Sequence, residues 1–107
     1  MTERVKGILQ QVRQGLQELY GPRLKGLVVF GSHARGEATA ESDLDLLFVL
    51  DDFASPFEEI TRTSALVSDI CLEYGELLSL IPIRGQDWRE RDSAFLDCVR
   101  EEGVLVT

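Results

Sequence analysis

Residues 24–50, LKGLVVFGSHARGEATAESDLDLLFVL, contain two short apolar runs separated by a polar turn that begins with Gly31-Ser32. The runs LKGLVVF and LDLLFVL are rich in leucine, β-branched and aromatic side chains, which is typical of buried strands. The first run leads directly into Gly31, and the second is closed by the acidic turn Asp51-Asp52. This stretch therefore predicts two strands joined by a turn.

The segment before this stretch has the periodicity of a helix. Its apolar residues recur at spacings of three and four, with Thr2 available as the N-cap and Gly21-Pro22 as the stop. The residues of this apolar stripe are Val5, Ile8, Leu9, Val12, Leu16 and Leu19. An amphipathic helix over residues 2–20 is therefore predicted to precede the first strand.

Residues 55–75 carry the start and stop signals of a second helix. Ser55 is a natural N-cap, Pro56 fits the first helical position, Glu58 completes a capping box and Gly75 ends the segment. We expect this helix to bury Phe57, Ile60, Leu66, Val67, Ile70 and Cys71.

The rest of the chain predicts one more strand and one more helix. ELLSLIPI reads as a third strand, in which Pro82 indicates an edge or a strand end. A loop holding Trp88 follows, and then a short helix capped by Ser93 and a short final strand. This order predicts an α/β (α+β) fold: a single domain over residues 1–107 with a mixed sheet of three strands or slightly more, flanked by helices.

Composition limits the class of protein. The 107 residues are 44% hydrophobic and 28% charged, which suits one folded domain. The apolar runs are far shorter than the roughly 20 residues of a membrane span, and the first residues do not resemble a secretory signal, so a cytoplasmic protein is expected. Cys71 and Cys98 have no neighbours at metal-ligand spacing and are expected to be reduced and mostly buried, without a disulfide.

Charge is unevenly distributed along the chain. The net charge is −8, which argues against a broad nucleic-acid surface. Residues 1–40 contain six Lys/Arg and three Asp/Glu, a net charge of +3, whereas residues 41–107 contain five and sixteen, a net charge of −11. An anionic ligand would therefore meet less repulsion from the first segment.

Two aspartates stand one residue apart where the second predicted strand begins. Successive side chains of a strand point to opposite faces, so Asp43 and Asp45 would point the same way while Leu44 and Leu46 pack on the other face. Two neighbouring carboxylates repel each other unless a cation or a proton lies between them. Mg²⁺ accepts a few carboxylate oxygens together with waters and substrate phosphates. Asp43 and Asp45 are therefore candidate Mg²⁺ ligands.

The Gly-Ser turn supplies groups that an anionic ligand needs. Gly31 allows close approach of the backbone, and the N–H groups of the following turn, which can form a short helix over residues 33–36, can bind a phosphate. Ser32 adds a hydroxyl donor and Arg35 a positive charge. The Gly-Ser turn alone, or the pair of aspartates alone, also fits a solvated loop. Together, between two predicted strands, they favour a site for a metal-bound phosphate compound.

The run GSHARGEATAESDLDLLFVL closely resembles the motif Gly-Ser-x-Ala-x-Gly, then Ser-Asp-x-Asp-Leu, of nucleotidyltransferases of the DNA polymerase β superfamily. It is most similar to the minimal nucleotidyltransferase (MNT) branch of single-domain prokaryotic proteins. The resemblance implies that Gly31 and Ser32 hold the triphosphate of ATP or another NTP, next to the charge that Arg35 supplies. It implies that Asp43 and Asp45 are the catalytic pair and bind Mg²⁺. It also implies the antitoxin role of toxin–antitoxin pairs, in which some members transfer AMP to a partner toxin of the HEPN class.

The chain departs from this pattern in its third predicted strand. Active members carry a third carboxylate there, whereas alignment of ELLSLIPI puts Ser79 at that position. Glu76, the only acid of this strand, is three residues away and therefore on the opposite face of a regular strand. A hydroxyl is a poor metal ligand and a poor base. Two functions stay open: nucleotidyl transfer to a partner protein, or a catalytically inactive module of the same fold that binds a nucleotide or a protein.

The remaining expectations concern two side chains and the partners. His33, the only histidine, is expected at the surface, and Trp88 in the core or in a lid. The expected partners are a nucleotide and a HEPN-like toxin, with no membrane and no direct nucleic-acid contact. Assembly into an oligomer is left open by the sequence.

Overall fold

The computed structural model describes residues 1–106. The two strands of the opening stretch lie where the sequence predicts them, and most of the other elements begin and end within two residues of their predicted bounds. Within the described residues the elements are α1 (Glu3–Tyr20), a 3₁₀ turn (Gly21–Arg23), β1 (Leu24–Phe30), α2 (Ser32–Arg35), β2 (Leu44–Leu50), α3 (Pro56–Tyr74), β3 (Leu78–Arg84), α4 (Gly85–Glu90), α5 (Ala94–Glu102) and β4 (Val104–Leu105).

The strands form one mixed sheet in the order β3-β2-β1-β4, which agrees with the predicted sheet of slightly more than three strands. β1 is antiparallel to β2 and β4, whereas β2 and β3 are parallel. Helix α3 makes the parallel pairing possible, because its 19 residues rise about 28 Å and return the chain to the end of the sheet where β2 began. The end of β1 and the starts of β2 and β3 therefore lie together.

Helices cover both faces of the sheet. Four side chains of β2 pack against α1 and α3 on one face: Leu44, Leu46, Phe48 and Leu50. Because strand side chains alternate, Leu47 and Val49 lie on the other face, in a second core with Leu96 and Val99 of α5. Within residues 1–106, no helix combines the length and the apolar character that crossing a membrane requires.

A buried polar contact joins α1 to α3. Tyr20 Oη donates a hydrogen bond to Glu59 Oε1 at 2.8 Å, and Arg62 Nε donates to the same oxygen at 3.0 Å. Burial alone would raise the pKa of Glu59, but the hydrogen bonds from Tyr20 and Arg62 outweigh it and hold the pKa below its ordinary value. The carboxylate therefore remains ionised inside the core at neutral pH.

This contact gives α3 a different buried face from the predicted one. The helix buries Glu59, Thr63 and Ile70, and it leaves Phe57 76% and Ile60 48% exposed. The prediction that these two residues are buried was wrong, because the face of α3 that carries Glu59 and Thr63 is the one that turns inward. The other predicted contacts are buried or partly buried: Leu66, Val67, Ile70 and Cys71.

The predicted helix caps are confirmed except at α3. Thr2 and Ser93 each accept a hydrogen bond from the backbone N–H three residues further on. Ser55 makes no side-chain cap hydrogen bond, so the predicted capping box was wrong, although Pro56 begins the helix as expected. Gly75 ends α3 in a left-handed conformation, with φ of 66°.

One predicted loop is a helix, and two side chains predicted to be buried are exposed. Trp88 packs against the second core, in line with the prediction, but it belongs to helix α4 and not to a loop. Arg100 donates hydrogen bonds to the carbonyls of Asp87, Trp88 and Arg91 at the end of that short helix. Leu19 is 45% exposed, since Tyr20 takes the adjacent core position. Cys98 is exposed because the buried stripe of α5 passes beside it, and both cysteines are free thiols.

Candidate functional site

The predicted turn and the predicted carboxylates meet at one end of the sheet. Phe30, the last residue of β1, pairs with Asp45 of β2, and Gly31 follows directly. A Cβ atom at position 31 would lie 2.5 Å from Asp45 Oδ2. The antiparallel pairing of β1 and β2 therefore brings the backbone of the Gly-Ser turn against the Asp45 carboxylate.

Gly31 has a backbone conformation that other residues rarely adopt. Its φ is 74° and its ψ is −154°, and its carbonyl accepts a hydrogen bond from the N–H of Arg35 at 3.2 Å. These angles turn the chain from β1 into α2, which begins at Ser32. Position 31 therefore requires glycine for two reasons, its backbone angles and the space taken by Asp45.

Asp43 and Asp45 share one electrostatic environment. Asp43 is exposed and stands immediately before β2, whereas Asp45 is partly buried within it. Burial raises the pKa of the Asp45 carboxyl, and repulsion from Asp43 raises it further, while His33 and Arg35 act in the opposite direction. Asp43 is therefore close enough to disfavour the ionised form of Asp45.

The register of β2 and β3 places Ser79 beside Asp45. Paired residues of neighbouring strands point to the same face, so Ser79 faces the Asp45 side of the sheet, as predicted. The assignment of Glu76 to the strand was wrong: β3 begins at Leu78, and the Glu76 carboxylate is drawn away by an ion pair with Arg4 of α1. Within residues 1–106, no three His, Cys, Asp or Glu side chains are grouped so that they could hold a metal ion.

Arg35, the candidate phosphate ligand, contacts two carboxylates. Its Nε donates a hydrogen bond to Glu37 Oε2 at 3.1 Å, and its Nη1 lies 3.6 Å from Glu102 Oε2. Glu102 is the last residue of α5, so this ion pair joins α2 to a distant element. Sequence reasoning missed Glu102, and no local pattern could have identified it, because the contact depends on how α5 packs on the sheet.

His33 is not the surface side chain that the sequence predicted. It is partly buried, and its Nε2 is enclosed without a hydrogen-bond partner among the described residues. Helix α2 packs against β1 and β2, which turns this side chain inward. His33 also lines a cleft of about 580 Å³ together with Thr2, Arg4, Thr39 and Glu76.

The sheet face that carries Asp45 continues into an apolar groove. Leu47, two residues further along β2, lines this groove of about 370 Å³ together with Ile81 and Phe95. Phe95 is 47% exposed, and its ring meets Phe30 edge-on with a centroid distance of 5.4 Å. A ligand bound at the carboxylates would have apolar space beside it.

Comparison with known sequences identifies a family model and several relatives. The family model of the nucleotidyltransferase domain matches residues 9–92. A Methanocaldococcus jannaschii chain named "Putative protein adenylyltransferase MJ0604" is 34% identical over 74 residues, which cover 68% of this chain and 67% of that one.

Comparison with solved structures supports the same fold. A crystal structure of a toxin–antitoxin pair with AMP-PNP contains a chain that matches with a TM-score of 0.66 at 16% identity, over 91% of this chain and 70% of that one. The complex of a tri-AMPylated Shewanella oneidensis HEPN toxin with an MNT antitoxin contains a chain that matches with a TM-score of 0.60 at 14% identity, over 92% and 67% of the two chains. At these identities the likeness concerns the fold alone: an α+β domain of the nucleotidyltransferase type.

Proposed function

Because the chain belongs to the nucleotidyltransferase domain family, whose model matches residues 9–92, we propose that it binds Mg²⁺ with an NTP and transfers a nucleotidyl group to a partner protein. The proposed donor is ATP, the transferred group AMP and the partner a HEPN-type toxin. The name of the M. jannaschii relative and the toxin–antitoxin complexes among the structural neighbours support this choice of acceptor.

The observation that carries the proposal is the juxtaposition of Gly31 and Asp45. With no side chain at position 31, the backbone of the turn lies directly against a carboxylate that is partly buried and repelled by Asp43. A phosphate held by the turn and the Ser32 hydroxyl would lie beside that carboxylate. Two like-charged groups in such proximity need a cation between them.

The donor set of the aspartates fits Mg²⁺. This ion takes hard oxygen ligands and is usually bound through one or two carboxylates together with substrate phosphates, so Asp43 and Asp45 are the proposed protein ligands. When bound, Mg²⁺ would neutralise charge on the phosphates. In the proposed transfer, an acceptor oxygen gives its proton to solvent water and bonds to the α-phosphorus, the bond from that phosphorus to the leaving oxygen breaks, and pyrophosphate departs.

Ser79 favours a second candidate function. At the position paired with Asp45 the chain has a hydroxyl, which is a weaker metal ligand and base than a carboxylate. In this alternative the protein is a catalytically inactive module that binds a nucleotide or a protein partner through the same fold.

Calorimetry with Mg·ATP tests the site. The wild-type protein should bind, and the double variant Asp43→Asn, Asp45→Asn should lose binding while its melting temperature stays the same or rises, because the substitutions remove a repulsion. The matched control is Asp69→Asn, Glu73→Gln, which removes two exposed charges from α3 and should bind normally. Equal binding by the Asp43/Asp45 variant would contradict the metal assignment.

Incubation with labelled ATP, GTP, CTP and UTP, Mg²⁺ and the protein encoded by the neighbouring reading frame tests the reaction. Label on the partner protein supports the transferase. Intact Mg·ATP binding without label from any of the four nucleotides favours the inactive module.

A further inference from the structure

The two partners of Arg35 differ in how they are attached to the fold. Glu37 is two residues from Arg35 and can move with it, whereas Glu102 belongs to α5. Helix α2 is a single turn bounded by Gly31 and Gly36, both with positive φ. The ion pair with Glu102 is therefore the contact that ties Arg35 to a separate element.

Contacts on either side of Glu102 hold its backbone in place. Arg100, one half-turn before it, donates hydrogen bonds to the carbonyls of Trp88, Asp87 and Arg91 at 2.8, 3.1 and 2.8 Å. Gly103, directly after it, is packed so closely that a Cβ there would lie 2.6 Å from Val28 Cγ1 of β1. The Glu102 backbone cannot readily follow Arg35 if the α2 turn shifts.

We propose that Glu102 is a positioning residue that competes with the phosphates of the nucleotide for Arg35. This inference rests on the proposed nucleotide site. In the free protein, Glu102 draws the guanidinium toward α5, and nucleotide binding exchanges this carboxylate for a phosphate. Carboxylate and phosphate present the same paired oxygens to the N–H groups of arginine, so the two partners are chemically interchangeable.

The carboxylate of Glu102 lowers nucleotide affinity in two ways. The ion pair with Glu102 must separate before Nη1 can reach a phosphate, which lowers the affinity for the nucleotide. The negative charge of Glu102, 3.6 Å from the guanidinium, also repels the anionic ligand. The ion pair and the repulsion both disappear when the carboxylate becomes an amide, so removing this charge should tighten nucleotide binding.

The test is calorimetry of the full chain with Mg·ATP. Glu102→Gln should tighten binding by about two- to fivefold, the range that an exposed ion pair supports. Glu101→Gln removes the same charge from the neighbouring exposed residue of α5 and should change affinity much less. Arg35→Gln should weaken binding, and in that background Glu102→Gln should have no further effect. Circular dichroism should show the same fold for all four variants, with a melting temperature lowered by at most a few degrees where the ion pair is broken.

Several outcomes would overturn the inference. Equal tightening by Glu101→Gln, or tightening that persists without Arg35, would mean that general repulsion and not competition for Arg35 is responsible. Weaker binding by Glu102→Gln would mean that Glu102 supports the bound state. If the wild type binds and Glu102→Gln matches it, the inference alone fails, whereas a wild type that binds no nucleotide removes the proposed function and the inference with it.

Discussion

At the scale of single residues, the two glycines at the ends of α2, Gly31 and Gly36, differ in both backbone conformation and surrounding space. Their φ angles are 74° and 73°, but the ψ of Gly31 is −154° and that of Gly36 is 17°, so only Gly36 is left-handed. A Cβ at position 36 would meet nothing within 4 Å, whereas at position 31 it would meet Asp45 Oδ2 at 2.5 Å. The end of a side chain can rotate away from such a clash, so the consequence falls on the orientation of Asp45 more than on the fold.

We predict that Gly36→Ala destabilises the protein by about 1 to 2 kcal/mol, the cost of an alanine in left-handed backbone. Gly31→Ala should destabilise it more, because a φ of 74° with a ψ of −154° is a region that almost only glycine adopts. Only Gly31→Ala should lower affinity for Mg·ATP, by at least roughly tenfold or 1.4 kcal/mol, because it displaces the Asp45 carboxylate. Urea unfolding measures the first effect and calorimetry the second. If Gly31→Ala binds Mg·ATP as well as Gly36→Ala does, close approach of the turn to Asp45 is irrelevant to the site.

At the scale of elements, the register of β3 against β2 determines which side chain stands beside Asp45. The parallel pairing of Asp45 with Ser79 puts a hydroxyl there, and it leaves Glu76 outside the strand. A shift of one residue would replace Ser79 by an apolar neighbour, since strand side chains alternate. The choice between a catalytic site and a binding site is therefore tested at position 79 of β3.

We predict that Ser79→Asp creates or raises transferase activity, because it restores a third carboxylate beside Asp45. Label transfer from ATP to the partner protein is the measurement. Ser79→Asn introduces a side chain of the same size as aspartate but without its charge, so it should not gain activity. Glu76→Gln should leave any activity intact, because Glu76 is paired with Arg4. Loss of activity in Glu76→Gln with unchanged nucleotide binding would show that Glu76 and not position 79 reaches the metal.

The contact between α1 and α3 is the second feature at this scale. Tyr20 and Glu59 are both buried, and their hydrogen bond at 2.8 Å fixes which faces of the two helices meet. Because the folded protein lowers the pKa of Glu59 from its ordinary 4.5, the ionised carboxylate stabilises the fold. That stabilisation is complete above about pH 4.5 and is lost as pH falls through the lowered value.

Tyr20→Phe should therefore reduce the free energy of unfolding by about 1 to 3 kcal/mol at pH 7, since it removes one donor to a buried carboxylate. The deficit should shrink below pH 4.5 as Glu59 takes up a proton. Chemical unfolding across pH 3 to 7 measures both effects. The control is Tyr74→Phe, whose hydroxyl accepts a hydrogen bond from the neutral Gln11 at 2.5 Å and whose deficit should not depend on pH in this way. A constant Tyr20→Phe deficit would contradict the role of the charge.

At the scale of the whole molecule, the sheet joins the two charge segments of the chain. The turn that carries Arg35 belongs to the segment with a net charge of +3, and the two aspartates belong to the segment with a net charge of −11. The antiparallel pairing of β1 with β2 places these groups side by side at one end of the sheet. This end of the sheet therefore combines a positively charged side chain with two carboxylates that would need a cation before an anionic nucleotide could bind beside them.

The sequence by itself determined the ranges of β1 and β2, the caps at Thr2 and Ser93, and the candidate turn and carboxylates. These features depend on preferences within a few residues: strand propensity, hydrogen bonds to helix ends and a short motif. The position of Ser79 beside Asp45 follows from the motif and from the alternation of strand side chains, and the pairing of β2 with β3 agrees with it. The tertiary structure alone decided that α3 buries Glu59 and that Arg35 contacts Glu102. Each of these joins residues far apart in the chain, so its energy depends on which faces meet during packing, and local patterns carry no information about that choice.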